Sequence, residues 1–287
     1  MITKMTFLFF RFVFVALVLA IAAMYVFQRK MIYHPLQSSE IPENLTLRGI
    51  KPLKFTTSAG KQTAYFVPPI ATETTATRRL WVCFPGNQGQ AVHFERLIDL
   101  IHSPNTGFLL VSYPGYGVCE GNPTRKSIME TVYSILDVCR EQVPDFFSHD
   151  ENVKIGVIGY SLGTAIGLEF ATLQSEWIKD IYLICPFTSL HDMAKQIIGY
   201  PLCHLLRDNY ESLSILKKLA EKKDFHCVVF AGKKDEMVPF AQEQTMGTAS
   251  PNVELIVFEE GTHWTTYIDA LPVIAKRIDG MENNYHE

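Results

Sequence analysis

The chain has 287 residues, 47% of them hydrophobic and 20% charged, a balance that excludes a disordered or collagen-like polymer and suffices for a large core. Its 26 Lys and Arg against 30 Asp and Glu leave a net charge of −4. With no long run of like charge, nucleic acid finds no electrostatic footprint here and is excluded as a partner.

The first element is apolar. From Phe12 to Phe27 no charge interrupts the chain, and extending back to Phe7 across Arg11 gives 21 residues, which at about 1.5 Å each span about 30 Å, the thickness of the hydrocarbon layer. Arg11 lies one turn from the edge and can snorkel. A cleaved signal peptide is the alternative, with Lys4 and Arg11 as its basic region and Ala20-Ile21-Ala22 resembling a cleavage site. The apolar run continues past that site and stops only at Gln28-Arg29-Lys30, which favours an uncleaved single-pass anchor over residues 1–35, followed by one domain over 36–287. Lys4 and Arg11 on one side nearly balance Arg29 and Lys30 on the other, so the positive-inside count is close to a tie. The domain is assigned to the cytoplasmic side. Cys83, Cys119, Cys139, Cys185, Cys203 and Cys227 are widely spaced with no CxxC, so a structural zinc site is not expected and a reducing compartment is favoured. Asn44-Leu45-Thr46 is a glycosylation sequon, of consequence only in a lumenal domain.

Beyond the anchor, short β-type runs alternate with longer helical ones. Strands are predicted at 53–57, 63–67, 80–84, 108–112, 154–158, 181–185, 227–230 and 253–258, and helices at 91–101, 125–141, 162–173 and 264–278. Runs such as LLVSY, IGVIG and IYLIC are apolar on both faces, as central parallel strands covered by helices must be. The pattern predicts the α/β class with a mostly parallel sheet of about eight strands. Residues 188–223 break the alternation with a second helical pattern rich in large apolar side chains from Leu190 to Leu206. This lid-like insertion reads equally as a substrate-binding cap or as a helical pair packing its own core.

Gly159-Tyr160-Ser161-Leu162-Gly163 ends the strand KIGVI and opens the helical run LGTAIGLEFATL. That is the strand-to-helix context in which G-x-S-x-G pushes a nucleophilic serine out at the top of a sheet. A serine hydroxyl needs a histidine to take its proton and a carboxylate to orient that histidine. Asp235 follows the apolar strand VVFAG, where α/β sheets place ligand-facing groups, and Glu236 is the neighbour that could substitute. His263 lies in the loop after the last strand, the one histidine of nine that combines that position with the order Ser, acid, His. The negative oxygen of a tetrahedral intermediate needs two backbone N–H donors. One is Leu162, and the other comes from the loop Phe84-Pro85-Gly86-Asn87-Gln88-Gly89, at Asn87 or Gln88. The segment 112–117 beside it is explained as a turn.

These pieces, together with RKMIYHP, FPGNQGQ, YPGYGVCEGNPT, IGYSLGTAIG, CPFTSLHDMA, AGKKDEMVP and FEEGTHW, resemble the membrane-anchored α/β-hydrolase-domain proteins nearly end to end. The resemblance implies an N-terminal membrane helix and a single α/β-hydrolase domain. It implies Ser161 as nucleophile, Asp235 as acid and His263 as base, Asn87 and Leu162 at the oxyanion hole, and Gly86, Gly159 and Gly163 as motif glycines. It implies a serine hydrolase, lipase- or esterase-like, acting on an acyl ester or thioester with no metal or organic cofactor. The rival expectation is an inactive hydrolase fold serving as an interaction surface at a membrane. Family members usually carry His-Gly where this chain has Pro85-Gly86, and proline cannot donate a backbone hydrogen bond. No residue assigned to the chemistry precedes Pro85, so the anchor is expected to supply location only.

Overall fold

A strand covered by helices on both faces needs apolar side chains at every position, and Arg78–Phe84 shows how they are used. Leu80, Val82 and Phe84 enter one buried cluster, while Trp81 and Cys83 enter another on the opposite face. The structure, a computed structural model, describes residues 2–38, 40–71, 77–148, 153–174 and 176–283.

The chain begins with a long helix, α1 (Ile2–Ile32), then α2 (Glu43–Leu47), β1 (Lys51–Thr57), β2 (Gly60–Val67), β3 (Arg78–Phe84), α3 (Glu95–Leu100) and β4 (Thr106–Leu110). It continues through α4 (Arg125–Gln142), β5 (Val153–Tyr160), α5 (Leu162–Leu173), β6 (Ile178–Ile184), α6 (Leu190–Ile198) and α7 (Ser212–Ala220). The last elements are β7 (His226–Gly232), α8 (Phe240–Gly247), β8 (Val253–Phe258) and α9 (His263–Asn283). The eight strands form one sheet in the order β1-β2-β4-β3-β5-β6-β7-β8. Strand β2 runs opposite to the other seven strands and pairs antiparallel with β1 and β4; the pairs from β4 through β8 are parallel. This is the mostly parallel eight-stranded sheet predicted. Helices α4, α5, α7 and α8 cover one face with Ile128, Ile166, Leu216 and Met246, and α3 and α9 cover the other with Leu97, Ile98, Leu271 and Ile274.

Several elements differ from the sequence expectation. The helix predicted at 91–101 is a tight turn, Ala91–Phe94, followed by α3. The His93 ring accepts from the Gln90 backbone N–H at 3.2 Å and closes that turn. Strand β4 starts at Thr106 and ends at Leu110, because Gly107, a weak strand former, is nevertheless buried in the sheet together with Thr106. Helix α8 carries no apolar stripe: its buried positions are Gln242, Glu243, Met246 and Gly247, so periodicity could not reveal it.

Helix α1 is long and apolar enough to cross a membrane, with a mean hydropathy of 2.6 in its most apolar window, and Phe7, Leu8, Phe12 and Phe14 are exposed along it. Its last turn, however, is packed onto the domain. Gln28 Oε1 accepts the Arg207 backbone N–H at 2.6 Å, and its Nε2 donates to the Leu205 carbonyl at 3.1 Å. Arg29 makes two parallel bonds to the Asp208 carboxylate, at 3.0 and 3.1 Å. Tyr33 is buried, its hydroxyl 3.4 Å from that of Tyr210. The expectation that the anchor is separate from the chemistry therefore meets a helix whose end is built into the domain.

Candidate active site

Because β5 ends at Tyr160 and α5 begins at Leu162, one residue turns the chain. Ser161 does so at φ +52° and ψ −119°, a conformation costly for a residue with a Cβ and sustained by its surroundings. Its N–H donates to the Ile184 carbonyl at 2.9 Å, and its carbonyl accepts from the Thr164 N–H at 2.9 Å and the Thr164 hydroxyl at 2.6 Å. The flanking glycines have steric reasons. A Cβ on Gly159 would lie 2.6 Å from the Gly163 carbonyl oxygen, and one on Gly163 would overlap the Phe84 carbonyl.

Asp235 follows β7 in a turn closed by its own N–H on the Gly232 carbonyl at 3.2 Å. Its side chain is fully buried. One carboxylate oxygen accepts the Met237 and Val238 N–H groups at 2.8 and 2.7 Å, and the other lies 2.7 Å from His263 Nδ1. Burial pushes this carboxyl up, but His263 and the two N–H donors outweigh it and hold Asp235 below the usual carboxylate value. His263 begins α9, and its backbone N–H donates to Glu236 Oε2 at 3.2 Å. The two neighbouring acids are thus separated: Asp235 meets the imidazole and Glu236 meets the backbone.

Ser161, His263, Asn87, Gly86 and Glu236 line one cavity of about 490 Å³. Among the described residues, the backbone N–H groups of Leu162, Asn87 and Gln88 have no acceptor. Asn87 is fixed all round: its carbonyl accepts from the His34 N–H at 3.1 Å and the Tyr116 hydroxyl at 2.7 Å, and its side chain donates to the Ile32 carbonyl at 3.3 Å. The Tyr113 hydroxyl donates to the Pro85 carbonyl at 2.8 Å. Segment 112–117, explained from sequence as a plain turn, therefore supplies two buried tyrosines that hold the loop carrying Pro85.

Three side chains beside this site escaped the sequence reading. Tyr160, the variable residue before Ser161, packs tilted against the His263 ring with centroids 5.2 Å apart and donates to the His263 carbonyl at 3.2 Å. Cys185, predicted as the last residue of a strand, instead follows β6 at φ +52°, with its Sγ 3.7 Å from the His263 carbonyl. Glu243 of α8 is fully buried; its Oε2 accepts the Gly232 N–H at 3.0 Å, and its Oε1 has no hydrogen-bond partner among the described residues. Burial, and then the charge of Asp235, push the Glu243 carboxyl up to about 9, so it is protonated at neutral pH. Only its position shortly after Asp235 could have flagged it.

Cys185, Asp235 and His263 place ligand-type atoms within 4.8 Å of one another, as do His191, Cys203 and His204. In the first group Asp235 and His263 already bond each other, and burial keeps the Cys185 thiol protonated, the wrong form for a metal ligand. In the second, His191 Nε2 and His204 Nδ1 pair at 3.2 Å.

No family model matches the chain. It is 25% identical over 201 residues to the α/β hydrolase domain-containing protein WAV2 of Arabidopsis thaliana, covering 64% of this chain and 63% of that protein. It is likewise 25% identical over 171 residues to protein bem46 of Schizosaccharomyces pombe, covering 59% of this chain and 56% of the relative. The chain thus spans less than two thirds of the length of these relatives. Among solved structures, the Pf2001 esterase of Pyrococcus furiosus superposes with a TM-score of 0.62 at 17% identity, over 88% of this chain and 98% of the esterase.

Proposed function

We propose that this chain, an α/β hydrolase by fold, is a membrane-anchored serine hydrolase that cleaves carboxylic esters or thioesters of acyl chains through an acyl-enzyme on Ser161. The observation that carries this reading is the 2.7 Å bond from buried Asp235 to His263 Nδ1, at the edge of the same cavity in which Ser161 stands on its strained turn. Asp235 holds the proton on Nδ1 and leaves Nε2 free to accept one.

In the mechanism, His263 Nε2 takes the Ser161 hydroxyl proton as Oγ attacks the acyl carbonyl. The carbonyl oxygen becomes negative beside the unpaired N–H groups of Leu162 and Asn87. As the tetrahedral species collapses, the bond to the alcohol or thiol breaks and the imidazolium returns the proton to that leaving group. Water repeats the cycle on the acyl-enzyme and releases the acid. Every charge that develops is met by groups already in place, so neither a metal nor an organic cofactor enters the scheme.

Exposed apolar side chains along α1 support membrane anchoring. Six buried, free thiols support a domain on the cytoplasmic side. The test is a fluorophosphonate probe with p-nitrophenyl butyrate turnover alongside. Wild-type protein is expected to label and turn over, and Ser161→Ala is expected to lose labelling and more than about 10³-fold in kcat/KM with its thermal midpoint kept. A Ser161→Ala protein with a tenth of wild-type turnover, or a wild type that does not label, would overturn the reading.

A further inference from the structure

Away from His263, Ser161 opens onto a second cavity, about 230 Å³ in volume, that also reaches Leu162. Met24, Met31 and Ile32 of α1 line it, and so do Leu190 and Met193 of α6. Helix α6 is amphipathic but has no fully buried residue: Leu190 and Met193 rest on the edge of the sheet's core and at the same time border this cavity, while Ile197 is exposed. The α1 wall is fixed in place, because Gln28 and Arg29 are bonded to Leu205, Arg207 and Asp208, just beyond α6. From Met24 to Ile32, at about 1.5 Å per residue, the wall is about 12 Å long, a length suited to an extended acyl chain. In the other direction α1 continues as the apolar helix with exposed Phe7, Leu8, Phe12 and Phe14, with Gln28-Arg29-Lys30 marking the membrane surface.

We propose that the end of α1 is one wall of an acyl-chain groove, and that its occupant is the acyl chain of a bilayer lipid ester drawn along α1 from the leaflet to Ser161. This rests on the serine-hydrolase reading above. The cavity on the His263 side, about 490 Å³, combines Gln88, His93, Glu95 and Arg96 with the rings of Trp264 and Tyr267, and so has room and some polar groups for the alcohol part of a lipid ester. The two cavities meeting at Ser161 then divide the ester between them, with the acid part against α1 and α6 and the alcohol part toward water. The membrane helix acts as a specificity element as well as a tether.

The experiment uses the full chain in detergent and measures kcat/KM for p-nitrophenyl esters from 4 to 16 carbons. Each methylene buried is worth about fourfold, so wild-type values should climb with chain length. Met24→Trp in one wall and Met193→Trp in the other should each lower the ratio of 12-carbon to 4-carbon rates at least tenfold. Val26→Trp, on the exposed side of the same helix, should leave that ratio within twofold. Parallel profiles for wild type and both groove variants, or a wild-type profile flat beyond four carbons, would overturn the groove while leaving the hydrolase reading intact. Absence of fluorophosphonate labelling in wild type would overturn both. In phosphatidylcholine vesicles 1-palmitoylglycerol should be cleaved faster than an S-palmitoyl peptide, and the reverse order would overturn the lipid ester as occupant.

Discussion

Replacing Asp235 by Asn keeps the shape of a side chain that touches three donors and changes what it can offer to one of them. The Met237 and Val238 N–H groups, 2.8 and 2.7 Å from one carboxylate oxygen, need an acceptor at that buried site, so the amide oxygen stays with them. The NH₂ group is then turned toward His263 Nδ1, where the carboxylate oxygen sat at 2.7 Å. An imidazole facing a donor must present Nδ1 as acceptor and carry its proton on Nε2, the nitrogen that receives the serine proton in the proposed mechanism. The base is thus lost by tautomer and not by distance. The expected loss in kcat/KM is about 10³ to 10⁴, or roughly 4 to 5.5 kcal/mol of transition-state stabilisation. The assay is p-nitrophenyl butyrate turnover and the rate of fluorophosphonate labelling, both from pH 6 to 9, with the thermal midpoint as a check on folding. Among the described residues the Glu236 side chain bonds only the His263 backbone, so Glu236→Gln should stay within about threefold. Asp235→Asn retaining more than a tenth of wild-type kcat/KM, or Glu236→Gln falling equally far, would refute the reasoning.

Glu243 gives a pH dependence of stability with a definite sign. Its carboxyl stands at about 9 when folded against an ordinary 4.5, so between those values the folded chain holds a proton that the unfolded chain has released. Stability from this group is complete below about pH 4.5 and falls as pH rises toward 9, at up to about 1.4 kcal/mol per pH unit. Urea unfolding at pH 5.5 and 8.5 should show Glu243→Gln losing less stability over that interval than wild type, and equal losses would refute the assignment. Arg29→Ala strips the paired cation from Asp208, whose side chain is 5% exposed. Because Arg29 is itself 34% exposed, the expected cost is about 2 kcal/mol, below that of a fully buried pair. Urea unfolding in detergent checks it, and a loss under about 0.5 kcal/mol would count against the docking of α1.

The residues of the candidate site were legible wherever local chain geometry decides chemistry. A strand running into a helix through one residue admits only glycine at 159 and 163, so the motif around Ser161 announced its turn, and Asp235 and His263 stood at the ends of apolar runs that read as strands. The alternation of such runs with helical ones likewise predicted the mostly parallel sheet. What lies behind these residues was not legible, because it depends on neighbours that only folding brings together. Tyr113 and Tyr116 hold a loop 28 and 29 residues away in the chain, from a segment that read as a turn. Glu243 sits on a helix with polar side chains at buried positions, a pattern that periodicity misassigns by construction. Arg29 at the end of α1 meets Asp208 across 179 residues, and Tyr33, just past the helix, meets Tyr210 across 177. Composition and periodicity report how a segment partitions between water, core and membrane. Which surface a segment packs against is set by the closure of the whole chain, and that closure made a wall of the candidate site from a helix whose sequence reads only as an anchor.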